Sequence, residues 1–407
     1  MEKFISLIGI FVLLGICYLI SENKKKVDLK LVFIGLFIQL VFAFIILKTS
    51  IGKTAFEYLS NFATTILGFS KDGAVFLFGG LVGDIDNFGF IFAFQVLPTL
   101  IFFSALMAVL YHVGVMQFII KYIAGFMAKV LGTSGAESVS AAANIFVSQT
   151  EAPLVIKPYI EKMTRSELSA VMVGGMATVA GSVMAGYIGM GVDAGHLIAA
   201  SIMSAPAALV ASKIIVPETE EPVTKGKVDV EVEKIDANII DAAARGASEG
   251  LQLALNIAGM LLAFIALISM LNAGIEGIGN LIGIQGLRLE VILGYLFAPL
   301  AYIMGIPAQD IVTAGSLLGQ KTVINEFVAY AQLGEYIKSG ALQPRTITIL
   351  TYALCGFANF SSIAVLLGGI GGLAPKRRGE VAQLGIKALV GGTVAAFLTA
   401  SIAGILI

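Results

Sequence analysis

Asn144-Ile145-Phe146-Val147-Ser148-Gln149-Thr150-Glu151-Ala152-Pro153 interrupts an otherwise apolar stretch, Ser134–Tyr159, and its reading decides the fold. The stretch is too polar for a lipid-facing helix, and Pro153 removes a backbone donor from it. A half of about 12 residues reaches only about 18 Å as a helix. That is well short of a bilayer core of about 30 Å. Two such halves can dip into a membrane and return, placing Gln149, Thr150 and Glu151 at depth. Backbone there is tolerated only where it packs on protein or lines a cavity.

The rest of the chain supplies the membrane. Of 407 residues, 57% are hydrophobic and 13% are charged. A soluble domain carries about 25% charge, so a soluble enzyme, a nucleic-acid binder and a disordered chain are all excluded. The net charge of −1 gives no basic footprint for a polyanion, so nucleic acid is not expected as a partner. Cys17 and Cys355 lack neighbours at metal-ligand spacing and read as small buried hydrophobes. His112 and His196 stand alone near span ends.

Eight stretches are long and apolar enough to cross: Phe4–Ser21, Leu31–Leu47, Phe92–Val113, Leu168–Val192, Leu197–Ile215, Gly250–Leu271, Ile347–Leu367 and Val381–Leu406. Lys24, Lys25, Lys26 and Lys30 place the end of the first span in the cytoplasm. Alternation then puts Lys121–Arg165, the stretch 213–248 and Lys376-Arg377-Arg378 inside, with both termini outside. The basic residues concentrate in these inside segments. Leu289–Ile306 contains Pro299 and reads as an interfacial or partly inserted helix. Lys53–Leu67 reads as a helix lying in the membrane surface. Pro217–Asp241, with mixed charges, reads as a solvated linker.

A second polar stretch, Gln309–Leu333, carries Gln320, Lys321, Asn325, Glu326 and Gln332. The crossing after each polar stretch is also interrupted. Val171–Val192 holds six glycines and Thr178-Val179-Ala180-Gly181-Ser182-Val183. Ile347–Leu367 holds Gly356-Phe357-Ala358-Asn359-Phe360-Ser361-Ser362. Such residues let a helix unwind and offer backbone groups to a ligand. Gly181 follows Glu151 by 30 residues, and Gly356 follows Glu326 by 30. An odd number of crossings separates the two halves, as in inverted repeats.

The expected fold is therefore an all-α polytopic membrane protein. It has eight transmembrane helices, two opposed re-entrant helical hairpins, broken helices and an inverted repeat. Residues 1–91 hold N-terminal helices and the interfacial segment. The first repeat is 92–216, with hairpin 133–160 and broken span 167–192. A cytoplasmic linker covers 217–247. The second repeat is 248–407, with hairpin 308–335 and broken span 346–370. Two carboxylates at mid-membrane, with Gln149, Asn144, Asn325, Asn359 and Ser362, imply a polar cavity, because each charge there costs about 2.5–3.5 kcal/mol on insertion scales. Carboxylates and amides suit a neutral polyhydroxylated ligand, whose adjacent hydroxyls can both donate to one carboxylate. Oxygen donors such as Asn144 and Thr178 suit a hard cation. No ATP-binding motif is visible, so uphill transport would draw on an ion gradient.

At this point the residues are familiar. Asn144–Leu154, Thr322-Val323-Ile324-Asn325-Glu326-Phe327-Val328-Ala329-Tyr330 and Ala353–Ala364 resemble the signatures of concentrative nucleoside transporters, and Ala374-Pro375-Lys376-Arg377-Arg378 fits the same pattern. The resemblance covers nearly the whole chain. It implies a homotrimer in a bacterial inner membrane, each protomer importing a nucleoside such as uridine with sodium by alternating access. By the motifs, Gln149, Thr150 and Glu151 would hold the nucleobase, with Val183 nearby. Glu326, Asn359 and Ser362 would hold the ribose, and Phe357 and Leu253 would supply apolar walls. Sodium would bind the Asn144 and Thr178 side chains and the Val147 and Val179 carbonyls. Ser148 stands where the family usually has glycine, which implies a narrowed site or altered selectivity. Thr178 stands where members can have serine and keeps the hydroxyl. Gln-Thr-Glu-Ala looks like the sodium-coupled rather than the proton-coupled type. The residues alone leave two alternatives: an ion-coupled carrier, sodium or proton, of another small neutral solute, and an intramembrane enzyme using Glu151 and Glu326 as acid and base.

Overall fold

The computed structural model describes residues 1–226 and 236–407. Part of the expected linker, 227–235, therefore lies outside the described residues. Everything described is helix, turn or irregular chain. The main helices are α1 (Glu2–Leu19), α2 (Leu29–Lys48), α3 (Ser50–Phe78), α4 (Leu97–Val113), α5 (Val115–Leu131), α6 (Gly135–Ala143), α7 (Arg165–Ala177), α8 (Gly181–Gly189), α9 (Ala194–Ile215), α10 (Ile239–Leu281), α11 (Leu289–Ile303), α12 (Ile311–Val323), α13 (Glu326–Ser339), α14 (Pro344–Leu354), α15 (Phe360–Leu373) and α16 (Arg378–Leu406).

Among the described residues, seven helical segments are long and apolar enough to cross a membrane. Six overlap expected spans directly. The seventh, Arg165–Gly189, is bent at Thr178-Val179-Ala180. The remaining expected span, Ile347–Leu367, is two helices, α14 and α15, of 11 and 14 residues. At 1.5 Å per residue neither half alone traverses about 30 Å. Polar and small residues at Cys355–Asn359 take the backbone out of helical geometry.

Four findings go beyond the sequence reading. First, α10 begins at Ile239, inside the expected linker, and runs for 43 residues. That is about 65 Å, twice a bilayer core. Asn238 caps it, its side chain accepting from the amides of Ile240 and Asp241. Second, the described start of the linker is docked rather than solvated. The Gly135 amide donates to the Thr224 carbonyl at 3.0 Å, the Ala136 amide to its hydroxyl at 3.1 Å, and Lys213 to the Glu218 carboxylate at 3.3 Å. Third, the first hairpin is far less helical than expected. After α6 come turns over 144–151 and only four-residue helical pieces, Ala152–Val155 and Lys157–Ile160. Fourth, Lys387, a lysine inside the last expected span, pairs with Glu22 at 2.7 Å.

The core follows from where small residues let helices approach. A Cβ on Gly315 would lie 2.3 Å from the Gly294 carbonyl, so α11 and α12 pack backbone to backbone. Likewise α4 and α10 meet at Gly246 and Gly250, which sit against Ser104, Ala105 and Ile101. Small-residue contacts of this kind replace the hydrophobic driving force that lipid removes. The buried interior is formed by α7 and α9, almost wholly buried, with α16 from Ala388 onward. Phe4, Phe11, Phe33 and Leu262 are among the exposed outer side chains.

Candidate functional site

The two broken crossings meet at their breaks. The Phe357 amide donates to the Thr178 carbonyl at 3.2 Å, and the Gly181 amide donates to the Phe146 carbonyl at 2.9 Å. Gly356 sits at φ +152°, and a Cβ there would lie 2.8 Å from the Met176 carbonyl oxygen. Only glycine permits that approach. Gly175 receives the first hairpin in the same way, with the Gln149 Cβ 2.8 Å from where its own would be.

Around this junction the polar side chains bond to one another. Glu326 is buried, and its carboxylate accepts from the Asn359 amide at 2.9 Å and the Tyr187 hydroxyl at 3.3 Å. Asn359 caps α15 through Ser362 N at 2.9 Å and accepts from Ser361 Oγ at 2.7 Å. Gln149 Nε2 donates to Ser362 Oγ at 3.2 Å, while its Oε1 is buried without a partner. Glu151 is exposed, and its carboxylate accepts from the Ser148 amide at 2.8 Å. The Ser148 and Thr150 hydroxyls are 3.0 Å apart.

These groups enclose a cavity of about 780 Å³. Gln149, Thr150, Glu151, Val183, Leu253, Glu326, Phe357, Asn359 and Ser362 all line it. The volume falls in the range of about 300–1,000 Å³ usual for small-molecule sites. On one side stand both hairpins and both breaks. On the other stand Ser104, Met107 and Tyr111 of α4 with Leu253, Ile257 and Met260 of α10. The mouth carries His112, Lys157, Asp236, Arg245 and Glu249, with Arg245 held by Asp236 at 2.6 Å and Glu249 at 2.8 Å.

The residues expected to bind a cation also lie together. Asn144 is fully buried, and both its Oδ1 and Nδ2 lack a partner. Its Nδ2 would be 3.2 Å from a Cβ on Gly174, and Thr178 Oγ1 donates to the Gly174 carbonyl at 3.0 Å. Val147 and Val179 belong to the two turns that the Gly181 amide ties together. A buried amide without a partner costs about 1–3 kcal/mol. An all-oxygen set of Asn144, Thr178 and carbonyls suits a hard cation.

Tyr187 and Ser361 are not singled out by the sequence, whereas Asn325, expected in the polar cavity, is found there. Asn325 caps α13 by accepting from the Val328 amide at 2.9 Å, and it lines the cavity. Tyr187 also stacks on Tyr330, centroids 4.1 Å apart. It is the single hydroxyl-bearing aromatic in Val171–Val192, which is the signal that could have marked it.

Comparison with known proteins agrees along the whole chain. A family model described as Na+ dependent nucleoside transporter C-terminus matches residues 196–404. The corresponding N-terminus model matches 8–81, and a nucleoside recognition model matches 93–194. An uncharacterized transporter of Haemophilus influenzae is 48% identical over 99% of this chain and 97% of its own length. The chain belongs to the concentrative nucleoside transporter family. Sodium/nucleoside cotransporter 1 of Rattus norvegicus is 42% identical over all of this family member, which spans 64% of that longer protein. Solved structures of CNTnw, a transporter 49% identical in its inward-facing substrate-bound state, superpose with a TM-score of 0.94 over 100% of this chain and 98% of that one. An outward-facing variant, at 48% identity and the same coverages, also scores 0.94. Overall similarity thus does not distinguish the two states, and the direction in which the cavity opens must do so.

Proposed function

We propose that this protein is a sodium-nucleoside symporter in which the cavity is the nucleoside site and Asn144 the centre of the sodium site. The transporter is secondary active and works by alternating access. One observation carries the site assignment: a single cavity is lined by Gln149 and Glu151 from one hairpin and Glu326 from the other, beside an Asn144 whose amide lacks a partner. Gln149, Thr150 and Glu151 would face the nucleobase, with Val183 and Phe357 against its faces. Glu326, Asn359 and Ser362 would face the ribose, with Leu253 as an apolar wall.

Sodium held by Asn144, Thr178 and the carbonyls of Val147 and Val179 would fix the turn 144–151, and that turn positions Gln149 to Glu151. Occupancy of either site then favours the other, and linkage makes the gain mutual. Buried Glu326 already has its Asn359 and Tyr187 donors in place, so its orientation needs no ordering by the ion.

The architecture we propose has eight crossings, counting α14 and α15 as one, and two opposed re-entrant hairpins. It is an inverted repeat, with the domain limits 1–91, 92–216, 217–247 and 248–407 shifted only where α10 reaches back to Ile239. A recurring tie supports the repeat. Ser134, starting the first hairpin, bonds Glu167 at the start of its broken crossing, and Asp310, starting the second hairpin, bonds Thr346 at the start of the other. Both termini would lie outside a bacterial inner membrane. The cavity mouth at Lys157 and Arg245 would then face the cytoplasm, an inward-open state. In a homotrimer, α4 and α10 would form the fixed wall past which the hairpin-bearing half moves.

The test is uptake of labelled uridine into proteoliposomes with and without an inward sodium gradient. Sodium-driven accumulation is expected. Uptake indifferent to sodium and to a proton gradient would remove ion coupling from the account.

A further inference from the structure

Helix α5 reaches the cavity only at its first turn, through Gln117, whose Nε2 donates to the Tyr111 carbonyl, and it joins α4 to the first hairpin. Glycines in the left-handed region end it on both sides, Gly114 at φ +93° and Gly132 at φ +71°. One face is buried through Met116, Ile120, Ala124, Met127 and Leu131. Met127 and Leu131 share a cluster with Ile34 and Ile38 of α2, so the two helices run side by side there.

The other face is an aromatic stripe. Phe118, Tyr122 and Phe126 are 63%, 66% and 55% exposed. On the same exposed side, Lys121 and Lys129 are exposed and pair with no carboxylate among the described residues. Between them lies Gly125, where a Cβ would meet nothing within 4 Å. This leaves a notch between two cations about 12 Å apart along the helix axis. The neighbouring α2 repeats the pattern, with Phe33 and Phe37 exposed and Lys30 exposed ahead of them. Nearby, Glu22 is taken by Arg165 and Lys387, and Asp28 accepts from the amides of Lys30 and Leu31.

We propose that α5 seats an acidic phospholipid, its acyl chains along the aromatic stripes of α5 and α2 and its phosphate in the Gly125 notch between Lys121 and Lys129. Aromatic side chains beside lysines match the boundary between acyl chains and headgroups. Unpaired lysines at that depth favour anionic over zwitterionic headgroups. Resting on the transport reading above, α5 is the arm between the fixed wall and the moving hairpin. Bound lipid would therefore set the rate of hairpin movement and leave nucleoside affinity alone.

The chain has no tryptophan, so Phe118→Trp creates a unique reporter. In the full-length protein, brominated phosphatidylglycerol is expected to quench it at a mole fraction on the order of 25-fold lower than brominated phosphatidylcholine. The preference is on the order of 5-fold per lysine. Lys121→Ser with Lys129→Ser should erase it, and Gly125→Phe should blunt it by filling the notch. Equal quenching by the two lipids overturns the proposal. So does quenching by neither, which would mean that protein, such as a second copy of the chain, covers the stripe. Sodium-driven uridine uptake should rise several-fold with phosphatidylglycerol in the parent and not in the double-lysine variant, at unchanged uridine affinity. Lipid-selective quenching without uptake in any lipid would sink the transport reading and leave the seat standing.

Discussion

Glu151 and Glu326 occupy corresponding places on the two hairpins, yet one carboxylate is exposed to the cavity and the other is buried with two side-chain donors. Their supports differ accordingly. The second hairpin is a pair of regular helices of 13 and 14 residues. The first has one nine-residue helix and then turns, and its acid bonds only to its own backbone at Ser148. A carboxylate with its side-chain donors in place and one without them thus line a single cavity. The unpartnered Asn144 lies under the irregular first hairpin, and in the proposed mechanism this turn is the part that an ion would order.

The largest effect should come from the preformed side. Glu326→Gln should weaken uridine binding about 100-fold, the loss of charge-assisted hydrogen bonds worth about 1.5–3 kcal/mol each, read by equilibrium binding of labelled uridine. Glu151→Gln should cost only about 10-fold, or one such bond, and alter discrimination between uridine and cytidine. Equal losses in the two variants would break the comparison. Asn144→Ala should raise the sodium concentration for half-maximal uptake by about 10-fold, on the scale of a typical 1–3 kcal/mol coupling. The uridine affinity at saturating sodium should barely change. An unmoved sodium dependence would place the ion elsewhere.

The remaining predictions concern the frame. Gly356→Ala should lower stability by at least about 1–3 kcal/mol, through backbone strain and the clash of its Cβ with the Met176 carbonyl, seen as a fall in melting temperature with uridine present or absent. At the base of the first hairpin, hydrogen bonds from Arg165 foremost and then Lys387 hold the Glu22 carboxyl at about 2, below its ordinary value, against partial burial. The lowered group stabilises the fold above the unfolded carboxyl range, near 4.3. That contribution is lost as pH falls from there toward 2. Glu22→Gln should therefore lower the melting temperature at pH 7 and make no difference near pH 2. After solvent screening the effect is about 1 kcal/mol. A variant as stable as the parent at pH 7 would show that this ion-pair cluster does not stabilise the fold.

Much of this was legible in the residues because the membrane makes polar groups expensive. Gln149, Glu151, Glu326 and Asn359 stand out against apolar surroundings, and the glycines of Val171–Val192 announce a break. The bond of Tyr187 to Glu326 was not legible, because a lone tyrosine in an apolar helix is ordinarily packing. Nor was the docking of Thr224 on the first hairpin, because a charged stretch ordinarily faces water.

By itself the sequence determined that the chain is a membrane protein with two acidic clusters and two interrupted helices, since composition and spacing decide what lipid tolerates. Only the tertiary structure decided that the interruptions touch at Phe357 and Thr178, and that Glu326 is buried while Glu151 is not. Which polar groups satisfy one another depends on how closely backbones approach. Here that approach is set by glycines such as Gly175 and Gly356, whose partners lie far away along the chain.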